Sequence, residues 1–195
     1  MNFPLELRFK LLAIASQITV TDAAGRVICY VKQKAFRLRE AVTVFSDATQ
    51  QRPLYRISAD RVIDFSARYH VEDEAGQPLG TVQRSGMRSF WRAHYEVHQG
   101  ARARFVIREE NPWVKVADSL LGEIPVLGIL SGYLFHPAYV VTQADSGQSV
   151  LRVVKRPALF EGRYTVEQLG ALPEADEPLA VLAILMLLLL ERTRG

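Results

Sequence analysis

Two segments of the chain concentrate basic residues, whose chemistry is the binding of phosphate and other anions. Residues 26–39 carry five Lys and Arg and no acid, and residues 84–108 carry six Arg against Glu96 alone. Because the whole chain has a net charge of only +3, the remainder is acidic. Clustered positive charge attracts phosphates on lipid or nucleic acid, although basic side chains also simply solvate strand faces. The candidate anion-binding residues are Lys32, Lys34, Arg37, Arg39, Arg84, Arg88 and Arg92.

Catalytic and metal-binding patterns are absent from the sequence. It contains no G-x-S-x-G, H-E-x-x-H, G-x-x-x-x-G-K-[ST] or G-x-G-x-x-G motif. His94 and His98 are four residues apart on a predicted strand, about 13 Å, which is too far for one metal ion. The lone Cys29 lies in an apolar run and is interpreted as a small core residue of a cytoplasmic protein. We therefore expect no enzyme activity, no metal and no cofactor.

Alternation of apolar and polar residues predicts that these basic segments are carried mainly by β-strands. The alternation is clear in residues 5–11, 61–72, 91–97 and 103–108. Three further pairs of short apolar runs flank turns that end in glycine, and they predict hairpins. Ten to twelve strands are expected in all.

The final element is a run of twelve apolar residues, 179–190. Its helix-forming composition, a cap at Asp176, Pro178 in the first turn and arginines at the end predict a helix at about 177–192. A helix that is apolar on every face must be buried in a core or a bilayer. Its length of roughly 20 Å is short of the roughly 30 Å of membrane hydrocarbon. We expect a buried core helix that is not transmembrane, with a tail anchor and a partner-binding helix as alternatives.

One region departs from the strand pattern. Asn111 and Pro112 predict the start of a short helix, and residues 122–132 combine apolar bulk with repeated Gly and Pro. We interpret this region as a packed loop, and the alternative is a surface that contacts a membrane or a partner.

Many antiparallel strands and one fully apolar helix predict a single domain over residues 1–195. A barrel of eight strands is filled by its own side chains, whereas one of eleven or twelve strands has room for a helix on its axis. Closure also removes the free edges of the sheet. The expected fold is therefore mainly β, a closed antiparallel barrel that encloses the C-terminal helix.

The sequence resembles the LURP-one-related proteins, within a superfamily that includes tubby C-terminal domains and phospholipid scramblases. The resemblance lies in the terminal helix and in the stretches YVKQKAFRLRE (30–40), IDFSARY (63–69) and GMRSFWRAHY (86–95). It implies a twelve-stranded barrel threaded by the C-terminal helix and, as in tubby-like relatives, a basic surface that docks on phosphoinositide head groups. No individual lipid-contacting residue of tubby is carried over. The acidic turn at 72–76 lacks the spacing of an EF-hand, so no calcium site is carried over either.

These observations predict a non-enzymatic binding or scaffold protein that meets anionic phospholipid head groups or an acidic protein partner. We expect it in the cytoplasm, peripheral at the membrane. One alternative is a nucleic-acid-binding module in which Phe90, Trp91 and Tyr95 stack on bases, but the alternation directs Trp91 and Tyr95 inward. The other alternative is a barrel that carries a hydrophobic ligand, which requires a cavity.

Overall fold

Twelve strands and one α-helix make up the part of the chain that the computed structural model describes, residues 1–11, 15–34, 41–60, 67–84, 94–110, 138–157 and 161–192. The helix, α1, spans Glu177–Arg192 and follows a 3-10 turn at Glu174–Asp176. The helix start predicted at Asn111 and the loop predicted at 122–132 lie outside the described residues. The strands are β1 (Leu5–Leu11), β2 (Ala15–Thr21), β3 (Val27–Lys34), β4 (Val42–Phe45), β5 (Pro53–Ala59), β6 (Arg68–Asp73), β7 (Pro78–Arg84), β8 (His94–Gln99), β9 (Arg102–Glu109), β10 (Ala138–Gln143), β11 (Ser149–Arg156) and β12 (Glu161–Gln168).

The strands form a closed up-and-down barrel. Each strand pairs antiparallel with its neighbours in sequence, and β1 pairs with β12 to close the sheet. The register aligns Leu7 of β1 with Val20 of β2 and with Tyr164 of β12. The predicted antiparallel barrel with a C-terminal helix is therefore confirmed.

The predicted alternation decides which side chains enter the barrel. Tyr69 and Val71 of β6 are buried, as are Tyr95 and Val97 of β8. Residues that alternate with them, such as His70 and Glu96, lie on the outer face. The parts of the same predicted patterns at 61–66 and 91–93 lie outside the described residues.

Helix α1 fills the axis of the barrel. From Leu179 to Leu189, no residue is more than 6% exposed. A helix packed on the outside of a sheet keeps a solvent face, so a helix buried all round must lie inside, and the predicted core helix is confirmed. Burial of its side chains contributes on the order of 20 kcal/mol gross, an upper bound because the unfolded chain is already partly collapsed. No helix among the described residues is both long and apolar enough to cross a membrane.

The barrel has two distinct ends, which we name after the course of α1. At the entry end, where α1 begins, the odd-numbered strands start and the even-numbered strands finish. At the exit end, where α1 finishes, the odd-numbered strands finish and the even-numbered strands start. Short turns join the strands at the entry end. The connections at the exit end include the long ones, at 35–41, 85–93 and 110–137.

Aspartates build the turns at the entry end. The Asp22 carboxylate accepts hydrogen bonds from the backbone N–H groups of Ala24 and Arg26, both at 2.9 Å. Asp73 does the same for Ala75 and Gln77, at 2.9 and 2.8 Å. A side-chain carboxylate that takes up backbone donors two and four residues ahead fixes a tight turn. The two predicted hairpins therefore share one turn design.

Charged contacts hold the start of α1. Asp176, predicted as its cap, accepts a hydrogen bond from Arg104 of β9, and Glu177 contacts the amino group of Met1. Both carboxylates are buried. Because the first turn of a helix is electropositive, acids are stabilised there.

Gly80 of β7 faces Leu179 at the start of α1 and the backbone of β8. A methyl group at this position would lie 2.4 Å from the carbonyl oxygen of His98 and 2.9 Å from Cδ2 of Leu179. We expect Gly80→Ala to lower the free energy of unfolding by roughly 2–4 kcal/mol, because backbone or helix must move to admit the methyl group. Urea unfolding followed by circular dichroism measures the loss.

Gly76→Ala is the matched control. Its added methyl group meets nothing within 4 Å, but Gly76 has φ of 75°. The expected loss is therefore only about 1 kcal/mol of backbone strain. Equal losses for the two variants would show that the close approach of α1 to β7 does not matter.

Candidate functional site at one end of the barrel

Charge is segregated along the barrel axis. Among the described residues, acids outnumber bases at the entry end and bases outnumber acids at the exit end. The acids of the entry end are Glu6, Asp22, Asp47, Glu72, Asp73, Glu74, Asp145, Glu167, Glu174, Asp176 and Glu177, against Arg26, Arg52, Arg102 and Arg104. The bases of the exit end are Lys10, Lys32, Lys34, Arg68, Arg84, Arg108, Lys155, Arg156, Arg163 and Arg192, against Asp60, Glu109, Glu110, Glu161 and Glu191. Arg8, Arg56, Arg152 and Glu96 lie nearer the middle of their strands and are assigned to neither end.

The charges at the entry end are largely occupied within the protein. Arg26 pairs with Asp22 at 2.7 Å and Arg102 with Asp145 at 3.1 Å. The bond from Arg26 holds the pKa of the Asp22 carboxyl below its usual value, against the opposing effect of burial. These acids are therefore part of the turn structure. They make the electrostatic potential at this end more negative, but their carboxylates are already engaged within the protein.

Several bases at the exit end have no such partner. Among the described residues, no carboxylate lies within 4.0 Å of the charged nitrogens of four exposed bases. These bases are Lys10, Lys32, Arg108 and Arg163. Lys10 and Lys32 share the outer face of β1, β2 and β3, since both pair with Gln17 of β2. The exit end therefore presents positive charge that no carboxylate of the described ranges neutralises.

The predicted anion-binding residues are distributed unevenly around this end. Lys32 is exposed on the outer face of β3 and Lys34 is the last residue of that strand. Arg84 ends β7, but its register partner is the buried Tyr95, so it points toward the barrel interior at the rim. Lys32 and Arg84 therefore do not share a face. Arg37, Arg39, Arg88 and Arg92 lie outside the described residues.

The two predicted basic segments each extend over both ends of the barrel. Arg26, Arg102 and Arg104 lie at the entry end, whereas Lys32, Lys34, Arg84 and Arg108 lie at the exit end. The strand ends that flank the connections at 35–41 and 85–93 also lie at the exit end, because both connections follow an odd-numbered strand.

A polar cluster lies at the last turn of α1, in which Tyr95 and Tyr139 are buried and Glu191 is half-buried. The Tyr95 hydroxyl donates a hydrogen bond of 2.8 Å to Oε1 of Glu191. Burial, and then the Glu191 charge, raise the pKa of Tyr95, while nearby Arg84 acts in the opposite direction. Burial, followed by the charges of Glu191 and Glu109, also raises the pKa of Tyr139. Sequence patterns do not reveal this cluster, because Tyr95 and Glu191 are 96 residues apart.

The histidines of β8 flank one carboxylate on the outer face. Nε2 of His98 lies 3.3 Å from Oε2 of Glu96, and Nε2 of His94 lies 3.9 Å from Oε1. Burial and the Arg108 charge lower the pKa of His94. Within the described ranges, no group of three or more His, Cys, Asp or Glu has the arrangement to hold a metal ion.

Cys29 is a buried residue of β3. Burial raises the pKa of its thiol to about 12, so the thiol is protonated at neutral pH. Because the thiolate is the reactive form of cysteine, Cys29 has no nucleophilic character in this setting.

Comparison with known proteins agrees with the fold and with the resemblance noted in the sequence. The family model of the LURP-one-related proteins matches residues 27–122. An X-ray structure of a protein from Arabidopsis thaliana aligns with 98% of this chain and 92% of its own, at 16% sequence identity and a TM-score of 0.50. At that identity the likeness shows the fold alone. No curated protein matches the chain.

Burial of the Tyr95 hydroxyl, together with the charge and hydrogen bond of Glu191, makes the free energy of unfolding depend on pH in the alkaline range. A hydroxyl whose pKa is raised in the folded state contributes stability below its unfolded pKa of about 10, and this is lost as pH rises toward the folded value. We expect Tyr95→Phe to lower the free energy of unfolding by about 1.5–3 kcal/mol near pH 7. The difference from the wild type should shrink above about pH 10. Urea unfolding at several pH values measures it.

Glu191→Gln is the control, because the amide oxygen still accepts the hydrogen bond of Tyr95 while the charge is lost. Its loss should be smaller than that of Tyr95→Phe. A difference between wild type and Tyr95→Phe that stays constant from neutral to alkaline pH would contradict this role for the hydroxyl.

Proposed function

We propose that this chain, which belongs to the LURP-one-related family, is a non-enzymatic binding module whose exit end docks on anionic phospholipid head groups, phosphoinositides among them. The observation that carries the proposal is the segregation of charge along the barrel axis. Lys10, Lys32, Arg108 and Arg163 have no carboxylate partner among the described residues, and the excess acid lies at the opposite end. A body polarised in this way orients toward an anionic surface before contact.

The sequence of the exit-end connections supports docking. Residues 85–93 combine Arg88 and Arg92 with Phe90 and Trp91, and residues 111–137 are rich in apolar side chains. Basic residues together with Trp, Phe and Leu are typical of segments that lie at the membrane interface. The described strand ends on either side of both connections lie at the exit end, and the sequence of the two connections suits interfacial binding.

The anionic leaflet that such a protein meets is the cytoplasmic one. A lone, buried Cys29 agrees with a reducing compartment. We therefore place the protein in the cytoplasm, peripheral at the membrane. An acidic protein partner is the other surface that the same charge pattern fits.

The two alternative functions have less support. A carrier of a hydrophobic ligand needs the space on the barrel axis that α1 occupies. A nucleic-acid-binding module needs exposed aromatic rings, and Tyr95 is buried while Phe90 and Trp91 lie outside the described residues.

Sedimentation with vesicles tests the docking. The protein should bind vesicles that contain phosphatidylserine or a phosphoinositide, should not bind pure phosphatidylcholine, and should be released by salt. Lys10→Glu with Lys32→Glu should weaken binding at least thirtyfold, because each basic residue near an anionic leaflet contributes about 1 kcal/mol.

The control makes the same change of charge at the entry end, Arg52→Glu with Arg102→Glu. Both arginines are highly exposed, and the control should keep its affinity within about twofold. Equal weakening by the two pairs would mean that only net charge matters. Absence of binding to every anionic vesicle would rule out lipid docking and leave the acidic protein partner to be tested.

A further inference from the structure

We propose that Arg8, Arg163 and Arg156 form a binding site for a phosphate group on the outer face of β1, β12 and β11. Arg8 is the register partner of Arg163, and Arg163 is the register partner of Arg156. The three residues therefore form one row across three adjacent strands. They alternate with the buried Phe9 and Tyr164, which places the row on the outside of the barrel. Arg156 and Arg163 belong to the exit end and Arg8 extends the row along the side of the barrel, so this proposal rests in part on the proposed function and deepens it by assigning a phosphate group to a defined row of residues.

The row is an unfavourable arrangement for a sheet that has no ligand. Directly opposed residues of antiparallel strands have Cα atoms about 4.5–5.5 Å apart, and like charges at that spacing destabilise the sheet. Three guanidinium groups in a row are therefore not explained by the needs of the fold. Local conflicts of this kind concentrate at functional positions.

The outer arginines are each held by a carboxylate, and the central one is not. Arg8 bonds to Oε2 of Glu6 through Nε and Nη2, at 3.2 and 2.8 Å. Arg156 bonds to Oε1 of Glu167 at 3.0 Å and to the Thr165 hydroxyl at 3.1 Å. Arg163 has no carboxylate or hydrogen-bond partner among the described residues. Arg163 is exposed, and its two register partners have guanidinium groups that are already oriented by carboxylates.

This arrangement fits an oxyanion with more than one negative charge. Guanidinium groups present paired N–H donors that match phosphate oxygens, and neighbouring arginines can share one phosphate. Lys10, one position nearer the exit end on the same face, adds charge, while the opposing Glu161 competes with the ligand. A terminal phosphate or a pyrophosphate therefore fits better than a phosphodiester, whose single charge is more weakly attracted past Glu161. The ligand is either free in solution or the head group of a lipid.

Two probes distinguish these sources. The first is inorganic pyrophosphate, titrated into the full chain and followed by calorimetry. The second is a pair of vesicle types with phosphatidic acid or phosphatidylserine at equal total charge, in which only phosphatidic acid carries a terminal phosphate. Both probes are applied to the wild type and to two single variants.

The test variant is Arg163→Gln and the matched control is Arg56→Gln. Arg56 is also exposed and has no carboxylate within 4.0 Å among the described residues, but its register partners are Thr43 and Glu72, so it belongs to no row of arginines. Arg163→Gln should weaken pyrophosphate binding at least tenfold, or abolish the preference for phosphatidic acid, and Arg56→Gln should do neither. The melting temperature of Arg163→Gln should equal or exceed that of the wild type, because the substitution removes repulsion within the row.

Each outcome decides the matter. If Arg163→Gln loses pyrophosphate binding and the control variant keeps it, the result supports a site for free phosphates. If Arg163→Gln loses only the preference for phosphatidic acid and the control keeps it, the result supports a site for a lipid head group. Equal weakening by the two variants, or a wild type with neither pyrophosphate binding nor a preference for phosphatidic acid, would overturn the proposal. None of these readouts depends on whether the exit end docks on phosphatidylserine.

Discussion

The structure depends on the enclosure of one helix that has no polar face. From Leu179 to Leu189 every side chain of α1 is apolar and buried, so the surrounding sheet must contact it on all sides. Twelve strands make a barrel wide enough for this purpose. Because Gly80 has no side chain, it leaves room for Leu179 at the start of the helix. At the end of the helix, the Tyr95 hydroxyl donates a hydrogen bond to Glu191. Because the interior is occupied in this way, polar chemistry is confined to the outer face and the two rims.

The two ends of the barrel differ in charge because the tight turns and the helix start at the entry end need acidic residues, whereas the described part of the exit end shows no such need. At the entry end, tight turns use carboxylates such as Asp22 and Asp73 as acceptors for backbone N–H groups, and two further acids hold the start of α1. The acidity of this end therefore follows from the construction of the fold. The bases of the exit end that have no carboxylate partner in the described part of the chain, such as Lys32 and Arg108, do not follow from it. The proposed docking on an anionic surface would account for them.

Local patterns in the sequence were sufficient to predict the architecture. A period of two places Tyr69 and Val71 in the core without knowledge of any partner strand, and an unbroken apolar run predicts a buried helix wherever the rest of the chain lies. The site was harder to predict, because it depends on which strands are neighbours and in what register. The sequence indicates only that Arg84 and Lys32 are both basic, whereas the alignment of Arg84 with Tyr95 turns Arg84 toward the interior. The row of Arg8, Arg163 and Arg156 comes from residues distant in sequence, and only the pairing of β1 with β12 and of β12 with β11 assembles it.

The orientation of the bound protein tests the central claim most directly. A spin label can be placed at the exit end by Gln17→Cys and at the entry end by Gln77→Cys, without any change of charge. Labelling is selective, because the Cys29 thiol is buried and its pKa is about 12. On vesicles that contain phosphatidylserine, a paramagnetic relaxing agent attached to the lipid head groups should relax the label at position 17 strongly and the label at position 77 weakly. Equal relaxation at the two positions, or stronger relaxation at position 77, would contradict docking by the exit end.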